Sequence, residues 1–588
     1  MLVYGDPVRV EDPAALLACI AAAWREAAGA PPGIARHARI AAALVEAGRL
    51  AQALADLAFE ARGRIDERDP ADEARMGLCL ALGRALAASW DSGFVDLPPP
   101  DEGALAACAG LAMPARVTLK RPEGYAFYAL YPEAILAAAR RLGPSGRTRV
   151  VGIRSIGTGL AAVAAAALGD PAPVTVRPTG HPFAREARLG PALGAHLTDG
   201  IDRVVIVDEG PGLSGSSFGA VADAIEALGM ARGRIAFLPS HGGDLGPQAS
   251  AAHRARWAGA VRPVVAMDAI VLDGDEPAHR LASWVAALVG SLDGPLEEIS
   301  GGAWRSRILG ADEARWPAVA AHQERRKFLA RAGGRTWLVK FAGLGEDGER
   351  IAGMAARLAE AGFTPPVAGF VHGFLVQRWL DDARPLDPAQ VDRPALLAQL
   401  ARYLAARARL FPAAPGEGAS GEALAAMVRR NVALALGDPA GEAAGRIADA
   451  LPAMDPGFGR IATDNRLQSH EWLVGSGGRL WKTDAVDHHA AHDLVGSQDL
   501  AWDVAGAAVE LGLAPDETEA LCDAIAAQGG AIVDRARLSA LPIAYLALHL
   551  GRARLSAQAL AGWPQEARRL DGEAARYEGR IRALLARA

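Results

Sequence analysis

Two stretches of this 588-residue chain carry residue types and spacings suited to handling phosphate. In VVIVDEGPGLSGSSF, residues 204–218, an apolar run delivers Asp208 and Glu209, and a turn rich in glycine and serine follows. Ligands of open α/β sheets bind at such carboxyl ends of strands. A helix opening near Ser217 would aim the amides of Gly215, Ser216 and Ser217 at an anion, with the helix dipole adding favourable potential. The hydroxyls of Ser214, Ser216 and Ser217 can donate to phosphate oxygens. The two carboxylates suit ribose hydroxyls, or Mg2+ bridging to a pyrophosphate. The second stretch starts at Lys340 in TWLVK, with Glu349 nine residues on at the start of a helical pattern. A strand lysine paired to a helix glutamate can position nucleotide phosphates. Further along, Asp464 and Asp484 lie twenty residues apart, each at the end of a short apolar piece.

The elements that must position these residues follow from periodicity. Residues 14 to about 110 read as helices, with Gly48 ending one of them and Pro98-Pro99-Pro100-Asp101 as a linker or exposed loop. These helices read as a cap or a dimerisation module, so a homodimer stays open. From about 115, apolar strands alternate with helical runs: strands at 148–157, 173–177, 203–210 and 234–240, helices at 159–168 and 217–229. That alternation implies βαβ units and a parallel sheet. After about 300 the pattern changes to two strands joined at Gly333-Gly334 (325–342), a helix at 349–361 and a hairpin around Gly373 (367–380). The remainder is mainly helical, with two short strand-like pieces near 461–485. The fold class expected is α/β. A helical N-terminal region (1–110) precedes a doubly wound parallel sheet (111–298), and a two-lobed α+β part follows (small lobe 303–382, helical lobe 383–588).

Composition limits the partners. A net charge of -6 argues against nucleic acid, which needs a basic face, while a local arginine cluster can still hold an anionic small molecule. Cys19, Cys79, Cys108 and Cys522 form no C-x-x-C pair, so structural zinc and a disulfide framework are not expected. MLVYGDPVRVEDP carries acids and a proline, unlike a signal peptide, and the most apolar run, 159–168, is about half of what a membrane helix needs. The expectation is a soluble cytoplasmic protein with small-molecule substrates, no nucleic acid and no membrane.

The order of strand, acidic pair, small-residue loop and helix at 203–217 resembles the phosphoribosyl pyrophosphate loop of type I phosphoribosyltransferases. The loop after VVGI, Arg154-Ser155-Ile156-Gly157-Thr158, resembles that family's pyrophosphate loop. The resemblance implies that Arg154, Ser155 and Gly157 hold pyrophosphate. It also implies that Arg177, His181, Arg185 and Arg188, in RPTGHPFAREAR, belong to a mobile hood, and that Mg2+ and phosphoribosyl pyrophosphate bind. Here the loop is about one residue longer and its second acid is Glu209. In the second half, Lys340, Glu349, RIATDNRLQSHEW and the segment through Asp484 resemble aminoglycoside phosphotransferase-like small-molecule kinases. That resemblance implies that Lys340 holds ATP phosphates and Glu349 orients it. Asp464 would then accept the substrate proton, Asp484 bind Mg2+, and Asp499 and Asp503 hold the catalytic loop. Ala462-Thr463 stand where the family has His-Gly, and Ser469 where it has a metal-binding asparagine, with Gln468 and His470 as substitutes. Asp487, His488, His489, His492 and Asp493 form a loop that also reads as a metal cluster, and His241 and Asp244 follow a strand end near the first cleft. Tyr125, Tyr128 and Tyr131, spaced by three, read as one helical face. Beside a helical interaction scaffold built on the first 110 residues, two functions stay open. One is a Mg2+-dependent phosphoribosyltransferase acting on a base-like acceptor, joined to an ATP-dependent small-molecule kinase. The other is a non-catalytic sensor of such ligands with an inactive kinase-like half.

Overall fold

Caps and apolar periodicity agree over the first 110 residues of this computed structural model. It describes residues 1, 4, 8–321, 323–414, 416–454, 459–491, 495–529 and 532–587. Asp12 accepts from the Ala14 amide at 2.8 Å and Pro13 opens α1 (Pro13–Gly29). After α2 (Ile34–Ala61), Asp69 accepts from the Ala71 amide at 2.7 Å and Pro70 opens α3 (Pro70–Asp91). Both starts combine an oxygen acceptor with a proline that lacks the donor anyway. α4 is Glu102–Ala109. Gly48 does not end a helix, because it lies inside α2. A Cβ there would stand 3.1 Å from Gly159 Cα, so the glycine serves close helix approach and not a turn.

A short ladder pairs β1 (Arg9–Glu11) antiparallel with β2 (Val117–Leu119). Then come α5 (Glu123–Phe127), α6 (Pro132–Arg140), β3 (Thr148–Ile153), α7 (Gly157–Leu168) and β4 (Val174–Val176). The hairpin β5 (Thr179–His181) and β6 (Ala184–Glu186) and helix α8 (Pro191–Thr198) lead to β7 (Arg203–Val207), α9 (Ser216–Ala227) and β8 (Ile235–Leu238). α10 (Ala251–Gly259) and α11 (Leu281–Val289) follow. The sheet is parallel, in the order β4-β3-β7-β8. Side chains alternate across it, as the strand period requires. Val204 and Ile206 pack with Phe218 and Val221 of α9. Val205 and Val207 join the core that α2, α3 and α7 build on the other face. The connection direction reverses between β3 and β7, which opens a crevice above their carboxyl ends. The three tyrosines do not share a helical face: α5 stops at Phe127 and Ala129 adopts φ 51°. Tyr125 and Tyr131 are buried and Tyr128 is exposed.

The second half begins with β9 (Glu297–Glu298), α12 (Trp304–Leu309), β10 (Lys327–Ala332) and β11 (Arg335–Phe341). Helix α13 (Gly345–Glu360), β12 (Val367–Val371) and β13 (Phe374–Arg378) complete a five-stranded antiparallel sheet, β12-β13-β11-β10-β9. Gly333 and Gly334 both have positive φ, 58° and 69°, as a two-residue hairpin turn of the primed type needs. α13 starts four residues earlier than the apolar pattern suggests, because Glu346 and Asp347 fill its first turn. A helical lobe follows, with short strands among its helices: β14 (Arg384–Pro385), α14 (Arg393–Leu410), α15 (Gly421–Leu436), α16 (Asp438–Ala448), β15 (Arg460–Ile461), β16 (Trp472–Val474), β17 (Leu480–Lys482), β18 (Gln498–Asp499), α17 (Leu500–Leu511), α18 (Pro515–Ala527), α19 (Leu541–Ala559) and α20 (Pro564–Leu585). The five-stranded sheet is shared between cores. Phe328, Val339, Phe341 and Phe374 join the cluster of α1–α3, whereas Leu375 joins that of the helical lobe. Among the described residues no helix is long and apolar enough to cross a membrane.

Candidate functional site

Two cavities hold the chemistry. The first, about 520 Å³, lies between the five-stranded sheet and the helical lobe. Alternation along β11 turns Leu338 and Lys340 toward it and sends Val339 and Phe341 into the core. Lys340 Nζ donates to Asp484 Oδ1 at 2.6 Å and stands 3.3 Å from Asp487 Oδ2. Arg325 Nε reaches the same Asp487 oxygen at 2.5 Å. Burial disfavours the Lys340 ammonium, but the Asp484 and Asp487 charges outweigh it and raise its pKa. Burial likewise opposes the Asp484 carboxylate, yet Lys340 and His488 hold it well below the usual carboxylate range. Glu471, directly before β16, brings a second carboxylate beside Asp484 and His488, with one donor atom from each within 4.8 Å of the others.

Glu349 does not pair with Lys340. It is exposed on α13, and the lysine's charge is met by Asp484 and Asp487 from the opposite wall. Asp464 is also placed differently from the sequence expectation, because its side chain is fully buried behind the cavity wall. Tyr403 donates to it, and Lys482 Nζ and His488 Nδ1 lie 3.5 and 3.7 Å away. Burial opposes its charge, but Lys482 leads the groups that bring its pKa down to about 2. Asp503 accepts the Asp464 and Asn465 amides at 2.8 and 3.0 Å and fixes this loop. Asp499 caps α17 through the Ala501 amide at 2.8 Å. His489 faces Arg350 at 3.1 Å, and His492 and Asp493 lie outside the described residues. Glu471, Lys482 and Tyr403 were missed as site residues. The one sequence signal was an acid directly before the apolar Trp472-Leu473-Val474.

The donors suit a divalent cation: two hard carboxylates converge, and buried Asp487 Oδ1 has no hydrogen-bond partner. Asp484 and Glu471 would hold it.

The second cavity, about 1300 Å³, sits over the crevice between β3 and β7. Ser155, Arg154, Arg177, Arg185, Asp208, Glu209 and Ser217 all line it, with His241 at its rim. Asp244 is exposed and is not among its lining residues. Gly157 must be glycine, since a Cβ would stand 2.6 Å from the Val207 carbonyl. Its amide donates to Asp208. Burial raises Asp208 to about 6. Burial first, then the Asp208 charge, raises Glu209 to about 8. The acidic pair therefore carries about one negative charge near neutral pH.

Several expected ligand donors are already engaged. Arg154 pairs with Asp66 and lies 3.5 Å from Asp56, and Arg177 Nε donates to Asp56 at 2.8 Å. These carboxylates come from α2 and the loop after it, so no local pattern could announce them. The Ser214 and Ser216 hydroxyls donate to the Pro182 carbonyl at 3.2 and 2.7 Å. The β5–β6 turn thus fills the hydroxyl cradle, and Gly215, at φ 64°, turns the chain into α9 beneath it. Arg185 donates to the Pro178 carbonyl at 3.2 Å. Phe127, Tyr128 and Glu324 line both cavities.

No family model and no curated protein matches this chain. Among solved structures, it is similar to the choline kinase LicA from Streptococcus pneumoniae, with 15% identity over 45% of this chain and 90% of that one and a TM-score of 0.31. A choline/ethanolamine kinase family protein from Mesorhizobium loti shows 18% identity over 54% and 96%, with a TM-score of 0.34. A spectinomycin phosphotransferase, APH(9)-Ia, shows 13% over 51% and 93%, with a TM-score of 0.34. Scores of this size carry no weight of their own, and the side-chain geometry stands by itself.

Proposed function

We propose that the chain is a transferase with two phosphate-handling sites: a kinase-like cleft for Mg2+ and ATP, and a cavity for Mg2+ and phosphoribosyl pyrophosphate. One observation carries the first part. Lys340, Asp484, Asp487, Glu471 and His488 converge in a cleft between the five-stranded antiparallel sheet and the helical lobe. Lysine meets the nucleotide's phosphates there, and the carboxylates hold the cation that bridges them. The acceptor is a small molecule bearing a hydroxyl, held between Arg466, Gln468 and His470 on the lobe side. In the second cavity, Asp208 and Glu209 face the ribose, and a base-like acceptor displaces pyrophosphate. Support comes from their place at the switch point of a parallel sheet.

A second reading has its own observation. Asp464, the proton acceptor that the kinase resemblance requires, is sequestered by Tyr403 and Lys482. On that reading both sites bind without turnover and the chain is a sensor. Labelled ATP with Mg2+ and a panel including choline, ethanolamine and spectinomycin separates the two, together with pyrophosphate release from phosphoribosyl pyrophosphate. Transfer abolished by Asp484→Asn supports the enzyme. Tight ATP binding with no transfer to any acceptor supports the sensor, and absence of nucleotide binding discards both.

A further inference from the structure

Away from both cavities, three ligand-type side chains from remote parts of the sequence meet in the interior. They are His37 of α2, Glu133 of α6 and His372 in the turn between β12 and β13. All three are at most 3% exposed. His37 Nε2 lies 2.7 Å from Glu133 Oε1, and His372 Nε2 lies 3.4 Å from the same oxygen. One donor atom from each fits within 4.8 Å of the others. The shell around them is aromatic: Phe94 packs on His37, while Tyr131 and Trp284 pack edge-on to His372.

Hydrogen bonding alone leaves this group incomplete. Glu133 Oε2 is buried without a hydrogen-bond partner, a costly arrangement in an apolar shell, and His372 Nε2 has only the long 3.4 Å contact to Glu133 Oε1. His372 also adopts φ 37°, and Tyr131 fixes its carbonyl at 2.7 Å. The other nitrogen of His37 is held by Ser89 Oγ at 3.0 Å. A hydrogen bond to the far ring nitrogen of this kind orients metal-bound imidazoles.

We propose that His37, Glu133 and His372 bind a zinc ion that pins α2, α6 and the β12–β13 turn together. Two imidazoles and one carboxylate are a known zinc donor set, and the fourth tetrahedral position falls to a non-protein ligand. The ion gives the orphan carboxylate a ligand role and His372 Nε2 a close partner at once. Its role is structural, because the site lies within the apolar core.

The test uses the full chain, stripped with a chelator and titrated with zinc alone. Wild type should take up about one tightly held ion and melt higher with it. Glu133→Gln, which keeps the shape, and His372→Asn, which tolerates positive φ, should bind at least about tenfold more weakly. Zinc-edge absorption on wild type should report two imidazoles. This spectrum needs no variant to fold, and it separates the site from the cleft, where Glu471, Asp484 and His488 offer only one. One imidazole per zinc, no uptake, or uptake unchanged in both variants overturns the proposal.

Discussion

Lys340 is one ammonium answering two carboxylates, Asp484 and Asp487. Lys340→Met leaves those charges facing each other in a largely dry site. It should cost about 2–4 kcal/mol in urea unfolding, the range for half of a buried ion pair with one partner partly exposed. The acidic pair of the larger cavity behaves differently. Glu209 titrates at about 8 in the folded chain against an ordinary 4.5, so the fold binds a proton that the unfolded chain releases. The stability from that group is full below the ordinary value and is lost as pH rises through about 8. Glu209→Gln has no such loss. Relative to wild type it should gain about 1–3 kcal/mol between about pH 5 and pH 9, read from denaturation midpoints. A pH-independent difference between the two proteins would contradict the assignment.

At the scale of elements, α2 and α3 lie against α7 because glycines let the backbones approach. A Cβ on Gly83 would stand 2.9 Å from the Ala162 carbonyl, which is backbone and cannot rotate away. Gly83→Val should therefore lower the melting temperature by an amount equivalent to about 1–3 kcal/mol, as overpacking does. Gly77, on the same helix with nothing near, is the control and should cost far less as valine. The strands of the parallel sheet and β10 to β13 of the antiparallel one were legible in the sequence, since their apolar runs are short, continuous or alternating and bounded by glycine, whereas the two-residue acidic β9 was not. The Gly333-Gly334 turn was legible for the same reason. Gly48 misled, because a glycine needed for helix contact looks like one needed for a stop. The engagement of Arg154 by Asp66, and of Lys340 by Asp487 in place of Glu349, was not legible. Those partners meet only when distant segments pack.

Across the whole molecule, the halves share structure. Glu209 accepts the Gly124 amide, Ala126 in the same segment accepts Arg325 Nη1 at 2.6 Å, and Arg325 pairs with Asp487 at 2.5 Å. The core of α1–α3 also contains Phe328, Val339, Phe341 and Phe374. A chain cut after residue 298 would expose that surface and should be less soluble, or bind apolar dyes more strongly, than the full chain. Well-folded, soluble 1–298 would show that the shared core is dispensable. The central claim is that the cleft built around Lys340 and Asp484 takes a magnesium nucleotide. Calorimetric titration of a non-hydrolysable ATP analogue tests it most directly, in wild type and Asp484→Asn, with and without Mg2+. Saturable binding that needs Mg2+ and weakens at least about tenfold in the variant is the expected result. Equal binding in both proteins, or none in wild type, would contradict it.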